Sequence, residues 1–549
     1  MKKQKQAAET EETLSTAMAD DRISNLPIHT LHDTENLLQM VNFKVNSVLI
    51  GIESGQKEAV RTCLLSKHWR YIGSTRPDLD FYEEPFNDTQ EKFVSVVDRT
   101  LQGYRDQNLS IHKLHLNLYS RPAVTLLNKW ISMIPTLNMK VFKLNFLLYP
   151  HDLPSAVFLA ESLEDLHLRK CRLSLAESVP FKSLRTLTLE QVQVDGRTLE
   201  TKMLDCPLLR RLVLDNCWQL RNVRVSEAAS PGLKHFVLHD YSNWISGRSI
   251  EMDVPNIETV SIRGPWIWSH HQSALLFSRL TNLDLNSVIL SSESFDLLSF
   301  ACPTLESLTV DNCYGFEEFH LASNSVNFLH FRTTEVLLKG VTICAPNIVS
   351  FQFTAHISQA LATFSFTTTT SKEWSSEVFL SSHKDDPDLD LNSWFLKLRR
   401  LLKALSGSWI SLLLQMDAGP RDVPCSAVLG GEPPVVLRYL IFGTCKCHRV
   451  AWYMGFTNGL FRVCRPSHVY GCRAVSESGG NYRLSEFQLK LLANKKVRTK
   501  TCFWGHDLEQ VFVESFDGQQ WQLMQWRTLG ELRKRTQDRN IRLRLKWRC

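Results

Sequence analysis

The chain has 549 residues, 43% of them apolar and 22% charged, and a formal net charge of +6 at pH 7. This apolar fraction excludes a disordered protein, and the length allows several cores or one long repeat array. The basic excess lies at the C-terminus, where residues 490–549 hold 14 basic and 6 acidic side chains, so this segment carries +8. The rest is close to neutral, so the basic tail is the one candidate footprint for nucleic acid. It lacks interleaved exposed aromatics and a known nucleic-acid-binding module, and the sequence favours a solvated basic edge over this reading.

Residues 1–20 are polar and predict a disordered N-terminus. They lack the apolar core of a signal peptide, and no apolar run further along is long enough to span a membrane. The 14 cysteines do not form a compact disulfide framework. These features predict an intracellular protein of the nucleus or cytoplasm.

Residues 21–86 predict a short helical module. Near its start Leu26 precedes Pro27, and proline pushes the residue before it away from helix. Its second half carries an apolar stripe at helical spacing, suited to packing against a partner helix, formed by Val60, Cys63, Leu64, Leu65 and Trp69. The phrase Pro77–Phe81 follows. Residues 87–110 predict a connecting helix with one apolar face.

A repeated phrase dominates residues 111–358: an apolar residue, two others, an apolar residue, one other, an apolar residue. Nine clear units recur at steps of 21 to 25 residues, beginning at Leu163, Leu184, Leu209, Leu233, Ile257, Leu280, Leu305, Val326 and Ile348. Two weaker units precede them, Ile111/Leu114/Leu116 and Val141/Leu144/Phe146. This period is typical of leucine-rich repeats, in which each short strand buries its alternate side chains against neighbouring repeats.

Two surfaces of the repeats are candidates for binding a partner. The first is one face of the array, with side chains such as Asp165, His167, Arg185, Thr186, Thr188, Arg210, Arg211 and Val213. The second is a rim of aromatic residues after the strands, comprising Trp218, Trp244, Trp266, Trp268 and Tyr314. Such aromatics either anchor a partner or cap the core of neighbouring repeats, and the sequence leaves both readings open.

Beyond the repeats we predict a variable loop at 359–393 and an α/β cap domain at 394–549. A helix runs from about Trp394 to Leu405, strands occupy Ile410–Gln415, Val435–Phe442 and Val511–Phe516, and a helix covers Ser485–Ala493. The last residues alternate apolar and basic side chains, which predicts a half-buried edge strand with a basic outer face. The fold class is therefore α/β, a leucine-rich-repeat solenoid between a small helical module and an α/β cap.

No catalytic motif is present, so we expect a binding protein, not an enzyme, with no cofactor and no metal. The cysteines around Cys445–His448, with Cys464 and Cys472, have poor spacing for zinc and predict ordinary buried thiols.

Three phrases together resemble plant F-box/leucine-rich-repeat proteins: Asp21–Pro27, Ala59–Arg70 and Pro77–Phe81, in this order ahead of the repeats. The stretches Leu492–Arg498 and Glu531–Arg539 resemble the closing region of one subfamily of these proteins. The resemblance implies the substrate receptor of a Skp-cullin-F-box ubiquitin ligase, with Leu26, Pro27 and the stripe from Val60 to Trp69 docking on a Skp-type adaptor. The target protein would bind the repeats.

The chain departs from the F-box pattern at residues 31–58, which are longer than in the family and lack its apolar phrase. Two readings follow. Either the module still binds the adaptor, or it is a non-functional F-box and the repeats form a protein-binding scaffold with no ligase role.

Overall fold

A computed structural model describes residues 77–83, 90–119, 121–173, 181–204, 206–228, 230–241, 247–269, 277–290, 302–334, 338–356, 363–368, 373–382, 391–416, 433–442, 450–470, 472–473, 482–483, 492, 494–525 and 541–548. The chain divides into two compact units, Met1–Leu233 and Lys234–Cys549. The predicted disordered N-terminus, most of the module at 21–86 and the helix at Ser485–Ala493 lie outside the described residues, apart from Leu492.

The first unit contains nine described strands and three helices. The strands are β1 (Asp78–Tyr82), β2 (Lys113–Leu118), β3 (Val141–Phe146), β4 (His151–Asp152), β5 (Asp165–Arg169), β6 (Cys171–Arg172), β7 (Thr186–Glu190), β8 (Arg211–Asp215) and β9 (Asn222–Ser226). The helices are α1 (Gln90–Asp106), α2 (Arg121–Met133) and α3 (Gly196–Leu204). The helix predicted at 87–110 is thus present as α1.

The main sheet of this unit is parallel, with strand order β1-β2-β3-β5-β7-β8. Its strands follow the alternation expected from the repeated phrase: in β5, Leu166 and Leu168 are buried between half-exposed polar residues. Leu163, just before the strand, is also fully buried. The predicted leucine-rich-repeat fold is confirmed.

The sheet begins before the first predicted repeat. Strand β1 comes from the phrase Pro77–Phe81, and its Leu79 and Phe81 align with Leu114 and Leu116 of β2. The phrase at the end of the proposed module is therefore also the first strand of the repeat sheet.

One predicted repeat has the wrong register. The residues aligned with Leu166 and Leu168 are Phe142 and Leu144, not Leu144 and Phe146. Strand β3 is one residue longer than β5, and its last residue, Phe146, is also buried. This extra buried residue led to the placement of the predicted repeat unit two residues too far along the chain.

The turns after the strands share a backbone conformation. A residue with positive φ directly follows many strands: Lys170, Gln191, Asn216, Gly264, Ser287 and Asn312. Shortly after this turn, the thiol of Cys217 donates to the Leu189 carbonyl of the preceding strand (Sγ–O 3.3 Å), and Cys313 donates to Leu285 in the same way (3.5 Å). These thiols thus link the turn to the preceding strand.

The second unit contains twenty described strands and three helices. The strands are β10 (His235–His239), β11 (Ser249–Asp253), β12 (Thr259–Arg263), β13 (Ile267–Ser269), β14 (Asn282–Asn286), β15 (Ser307–Asp311), β16 (Glu318–Ala322), β17 (Phe328–Thr333), β18 (Gly340–Cys344), β19 (Ser350–His356), β20 (Thr363–Thr367), β21 (Ser375–Ser382), β22 (Trp409–Met416), β23 (Val435–Phe442), β24 (Cys464–Tyr470), β25 (Cys472–Arg473), β26 (Tyr482–Arg483), β27 (Leu508–Phe516), β28 (Trp521–Leu523) and β29 (Ile541–Trp547). The helices are α4 (Leu391–Ala404), α5 (Val450–Val463) and α6 (Lys495–Thr501).

The parallel sheet of this unit runs well past residue 358. Its strand order is β10-β12-β14-β15-β17-β19-β21-β22-β23-β24, every pair parallel. Strand β21 of this sheet therefore lies within the predicted variable loop, as does β20, which pairs with β18 in a separate sheet, and β22 to β24 lie within the predicted cap. The repeat period is lost from the sequence here because α4 and α5 occupy the connections between the strands.

The sheet finishes with antiparallel strands. Strand β29 pairs on one side with β24 and on the other with β27, which pairs in turn with β28. The alternation predicted for this strand is confirmed, since Ile541, Leu543 and Leu545 are buried. The sequence alone predicted an edge strand, and this is wrong, because β29 has a partner on each side. Its partner β27 lies about thirty residues earlier in the chain, so the local pattern could not reveal the pairing.

Helices α4 and α5 pack against each other through aromatic side chains. The rings of Trp394 and Phe456 stack at 5.8 Å, and Phe395 lies 5.6 Å from Phe456. Gly459 of α5 faces the ring of Phe395, where a Cβ atom would clash. None of the helices in the described part of the chain combines the length and hydropathy needed to cross a membrane.

Candidate functional site

The parallel sheets bury one face and expose the other. We call the exposed side, formed by the strand residues that alternate with the buried apolar ones, the open face. Of the residues predicted there, Asp165, His167, Thr186, Thr188 and Val213 are half-buried and Arg211 is exposed, all within strands, while Arg185 and Arg210 directly precede strands.

In the first unit, a polar ladder crosses β1, β2 and β3 on the open face. The carboxylate of Asp80 lies 3.0 Å from the Lys113 ammonium and 3.2 Å from Nδ1 of His115. The His115 ring contacts Asn117 (3.0 Å), which accepts a hydrogen bond from Asn145 (2.9 Å). The hydrogen bond with His115 is the main cause that holds the pKa of Asp80 at about 2, against the opposing effect of burial.

A second charged group in this unit centres on Glu190. Its carboxylate lies 3.1 Å from Arg169 and 3.5 Å from His167 on the neighbouring strand. Burial lowers the pKa of His167 and outweighs the opposing effect of Glu190, whereas burial raises the pKa of Asp165. The open face of the first unit thus presents interlocked charges of both signs.

The open face of the second unit begins with small polar side chains. Ser261 contacts His239 (3.1 Å) and donates to Asp284 (3.1 Å). Asn286 donates to Asp311 (3.0 Å), whose pKa is raised by burial. In the described part of the chain, no group of three histidine, cysteine or carboxylate side chains could hold a metal ion.

The predicted aromatic rim is divided. Trp218 is 42% exposed, Trp268 and Tyr314 are half-buried, and Trp244 lies outside the described residues. Trp266 is only 1% exposed, so it packs in the core and cannot anchor a partner at the surface. The Arg248 guanidinium lies over the buried indole, 5.4 Å from its centroid, which favours the core-capping reading for Trp266.

The predicted adaptor-binding residues lie outside the described residues. They are Leu26, Pro27, Val60, Cys63, Leu64, Leu65 and Trp69. Of the thiols considered as zinc ligands, Cys445 and Cys447 lie outside the described residues as well. Cys464 is fully buried, its thiol donates to the Leu460 carbonyl (3.4 Å), and burial raises its pKa.

The basic C-terminal strand contains an ion cluster that the sequence did not indicate. The buried carboxylate of Glu514 on β27 accepts hydrogen bonds from Nε of Arg542 (2.7 Å) and Nε of Arg544 (2.6 Å) on β29. Arg542 also donates to the Tyr470 hydroxyl (3.2 Å) on β24. The alternating pattern located the two arginines on one face, but only the strand pairing shows that they share one carboxylate.

Comparison with known proteins identifies the repeats. The family model described as the leucine-rich repeats of FBD-associated F-box protein At5g56370 matches residues 127–275 and 251–360. Among similar proteins of Arabidopsis thaliana, the putative F-box protein At1g49610 is 27% identical over 43% of this chain and 57% of its own length. The putative FBD-associated F-box protein At5g22720 is 30% identical over 36% of this chain and 40% of its own length.

A third relative, F-box/LRR-repeat protein At4g14096, is 30% identical over 37% of this chain and 44% of its own length. The matches thus span between two fifths and three fifths of these relatives. The parallel repeat sheet and these matches together show that residues 127–360 are similar to the leucine-rich repeats of FBD-associated F-box proteins.

Proposed function

We propose that this chain is the substrate-recognition subunit of a Skp-cullin-F-box ubiquitin ligase. In this proposal, the module at 21–86 binds a Skp-type adaptor, and through it a cullin, in the nucleus or cytoplasm. The open face binds a target protein, and the chain performs no chemistry itself. The observation that carries the proposal is the long polar open face of a repeat family whose similar members are named F-box proteins.

The order of the domains supports separate regions for adaptor binding and for target binding. Strand β1 lies in the last of the F-box-like phrases, Pro77–Phe81, and pairs with β2 of the repeat sheet. We propose domain limits of 21–86 for the adaptor-binding module, 87–110 for the connector, 111–358 for the repeats, 359–393 for the variable segment and 394–549 for the cap.

Co-purification of the full-length chain with a Skp-type adaptor tests the proposal. We expect a complex that is lost in Leu64→Asp, which places a charge in the apolar stripe, and retained in Trp218→Ala, a matched loss of an exposed apolar side chain on the repeats. Failure of the full-length chain to bind, with recovery when residues 31–58 are replaced by a family-like helix, would refute the ligase role. It would favour the scaffold that binds proteins without a ligase.

A further inference from the structure

The open face changes character toward the C-terminal end of the second unit. Arginine and aromatic side chains are concentrated on the adjacent strands β22, β23, β24, β29, β27 and β28. We call these side chains the arginine–aromatic belt: Trp409, Arg438, Tyr439, Tyr470, Arg544 and Trp521. Arginine, tyrosine and tryptophan are the residues that most often dominate binding energy at protein interfaces.

Arg438 is the residue of the belt whose guanidinium is best positioned to bind a partner. Its guanidinium carbon lies 3.9 Å from the ring centroid of Trp409 and 5.2 Å from that of Tyr439. Arg438 is exposed, Trp409 is 45% exposed, and no carboxylate pairs with Arg438 among the residues that the structure describes. Stacking fixes the plane of the guanidinium while its N–H groups stay available, which is the geometry that binds a carboxylate through two hydrogen bonds.

The aromatic rings continue across the next strands. Tyr439 meets Tyr470 edge to face at 5.6 Å, and Tyr470 meets Trp521 in the same way at 5.7 Å. Arg542 lies over the Trp521 ring at 4.3 Å and donates to Tyr470. These side chains are held by the sheet and by one another, so a partner would immobilise few of them on binding.

The belt keeps a positive charge. Glu514 is shared by Arg542 and Arg544, so a single carboxylate compensates one of two guanidiniums, and the Arg544 side chain remains 44% exposed. After burial, the positive charge of Arg542 is the next cause that lowers the pKa of neighbouring His468. Residues 490–549 as a whole hold 14 basic and 6 acidic side chains. An acidic partner is therefore electrostatically favoured.

We infer that the arginine–aromatic belt binds an acidic, apolar-containing segment of the target protein. Carboxylates of the segment pair with Arg438 and Arg544, and its apolar side chains cover Trp409 and Tyr439. This inference rests on the proposed function in one respect, which is that the bound segment belongs to a target of the ligase. The exposed guanidiniums of Arg438 and Arg544 are separated by aromatic rings, which favours a peptide with spaced carboxylates over the closely spaced phosphates of nucleic acid.

The test uses the full-length chain and a fluorescein-labelled peptide of alternating glutamate and leucine, followed by fluorescence anisotropy. We expect saturable binding that weakens with added NaCl, and Arg438→Gln to weaken it about tenfold or more, as expected for a lost charge-assisted pair. Arg400→Gln is the matched control, since it removes an exposed arginine of α4 away from the belt. Arg438→Lys keeps the charge but loses the stacked fork, and should also weaken binding.

Three outcomes would overturn the inference. The first is that a glutamine–leucine peptide binds as tightly as the glutamate–leucine peptide. The second is that Arg438→Gln and Arg400→Gln weaken binding equally. The third is that single-stranded polyuridylate RNA binds more tightly and displaces the peptide. Adaptor co-purification should be unchanged in Arg438→Gln. If the chain binds the adaptor but not the peptide, the peptide-binding role of the belt is refuted and the ligase role is not. If the chain binds the peptide through Arg438 but not the adaptor, only the ligase role is refuted.

Discussion

Removing the carboxylate of Glu514 should loosen the C-terminal strands. Its side chain is 9% exposed, and it holds two guanidiniums, of which Arg542 is 16% and Arg544 is 44% exposed. Removing one partner of a buried ion pair costs about 3–5 kcal/mol, whereas exposed pairs contribute about 0.2–1 kcal/mol. For this partly exposed cluster we expect Glu514→Gln to lower the local free energy of opening by about 2 kcal/mol at neutral pH.

The matched control lies on the same strand. Glu509 pairs with Lys546 at 3.1 Å, and both side chains are largely exposed, at 42% and 58%. Glu509→Gln makes the same chemical change and should cost at most about 1 kcal/mol. The difference between the two variants isolates the effect of burial.

Hydrogen exchange of the full-length chain, read by mass spectrometry on peptides covering β27 and β29, measures this opening. A loss of about 2 kcal/mol corresponds to amide exchange about thirtyfold faster in Glu514→Gln. Equal exchange in the two variants would refute the reasoning, because it would mean that the shared carboxylate does not hold the strands together.

The pH dependence of the same cluster follows from the pKa of Glu514. Burial acts to raise this pKa, but hydrogen bonds from Arg544 and Arg542 outweigh it and hold the pKa below its ordinary value. The stabilisation is therefore fully present above the ordinary glutamate pKa of about 4.3, and is lost as the pH falls through the lowered native value. Protection of β27 should decline in acid for the natural chain and less so for Glu514→Gln.

Two further changes test the packing of the repeats and of the helices. Burial raises the pKa of the Cys217 thiol to about 12, so iodoacetamide should label exposed Cys344 in the folded chain and reach Cys217 only after denaturation, and early labelling of Cys217 would contradict its burial. Gly459→Ala forces a methyl group against Phe395 and should destabilise α5 by about 1–3 kcal/mol. Gly103→Ala, in open space on α1, should instead stabilise its helix by up to about 1 kcal/mol. Amide exchange rates of the two helices measure both effects, and equal effects would contradict the packing.

The repeat fold could be predicted from the sequence because its signal is local and periodic. Each unit places two buried residues at alternate strand positions, as Leu187 and Leu189 do in β7, and the same spacing recurs along the array. The continuation of the sheet could not be predicted in this way. There, α4 and α5 lengthen the connections, so the strands β22 and β24 no longer recur at the repeat period.

The candidate site was predictable only in part. Alternation within a strand showed which side chains of β5, such as His167, share the open face. It could not show which residues meet across strands, because this depends on pairing between segments far apart in the chain. The stacking of Arg438 on Trp409 and the sharing of Glu514 by two arginines both arise from such pairing.

Titration of a purified Skp-type adaptor into the full-length chain, followed by isothermal calorimetry, tests the central claim most directly. We expect saturable binding of one adaptor per chain, abolished by Leu64→Asp and unchanged by Arg438→Gln, because the regions proposed for the adaptor and for the target differ. Absence of binding, or binding that Leu64→Asp leaves intact, would contradict the claim that this repeat protein is a ligase receptor.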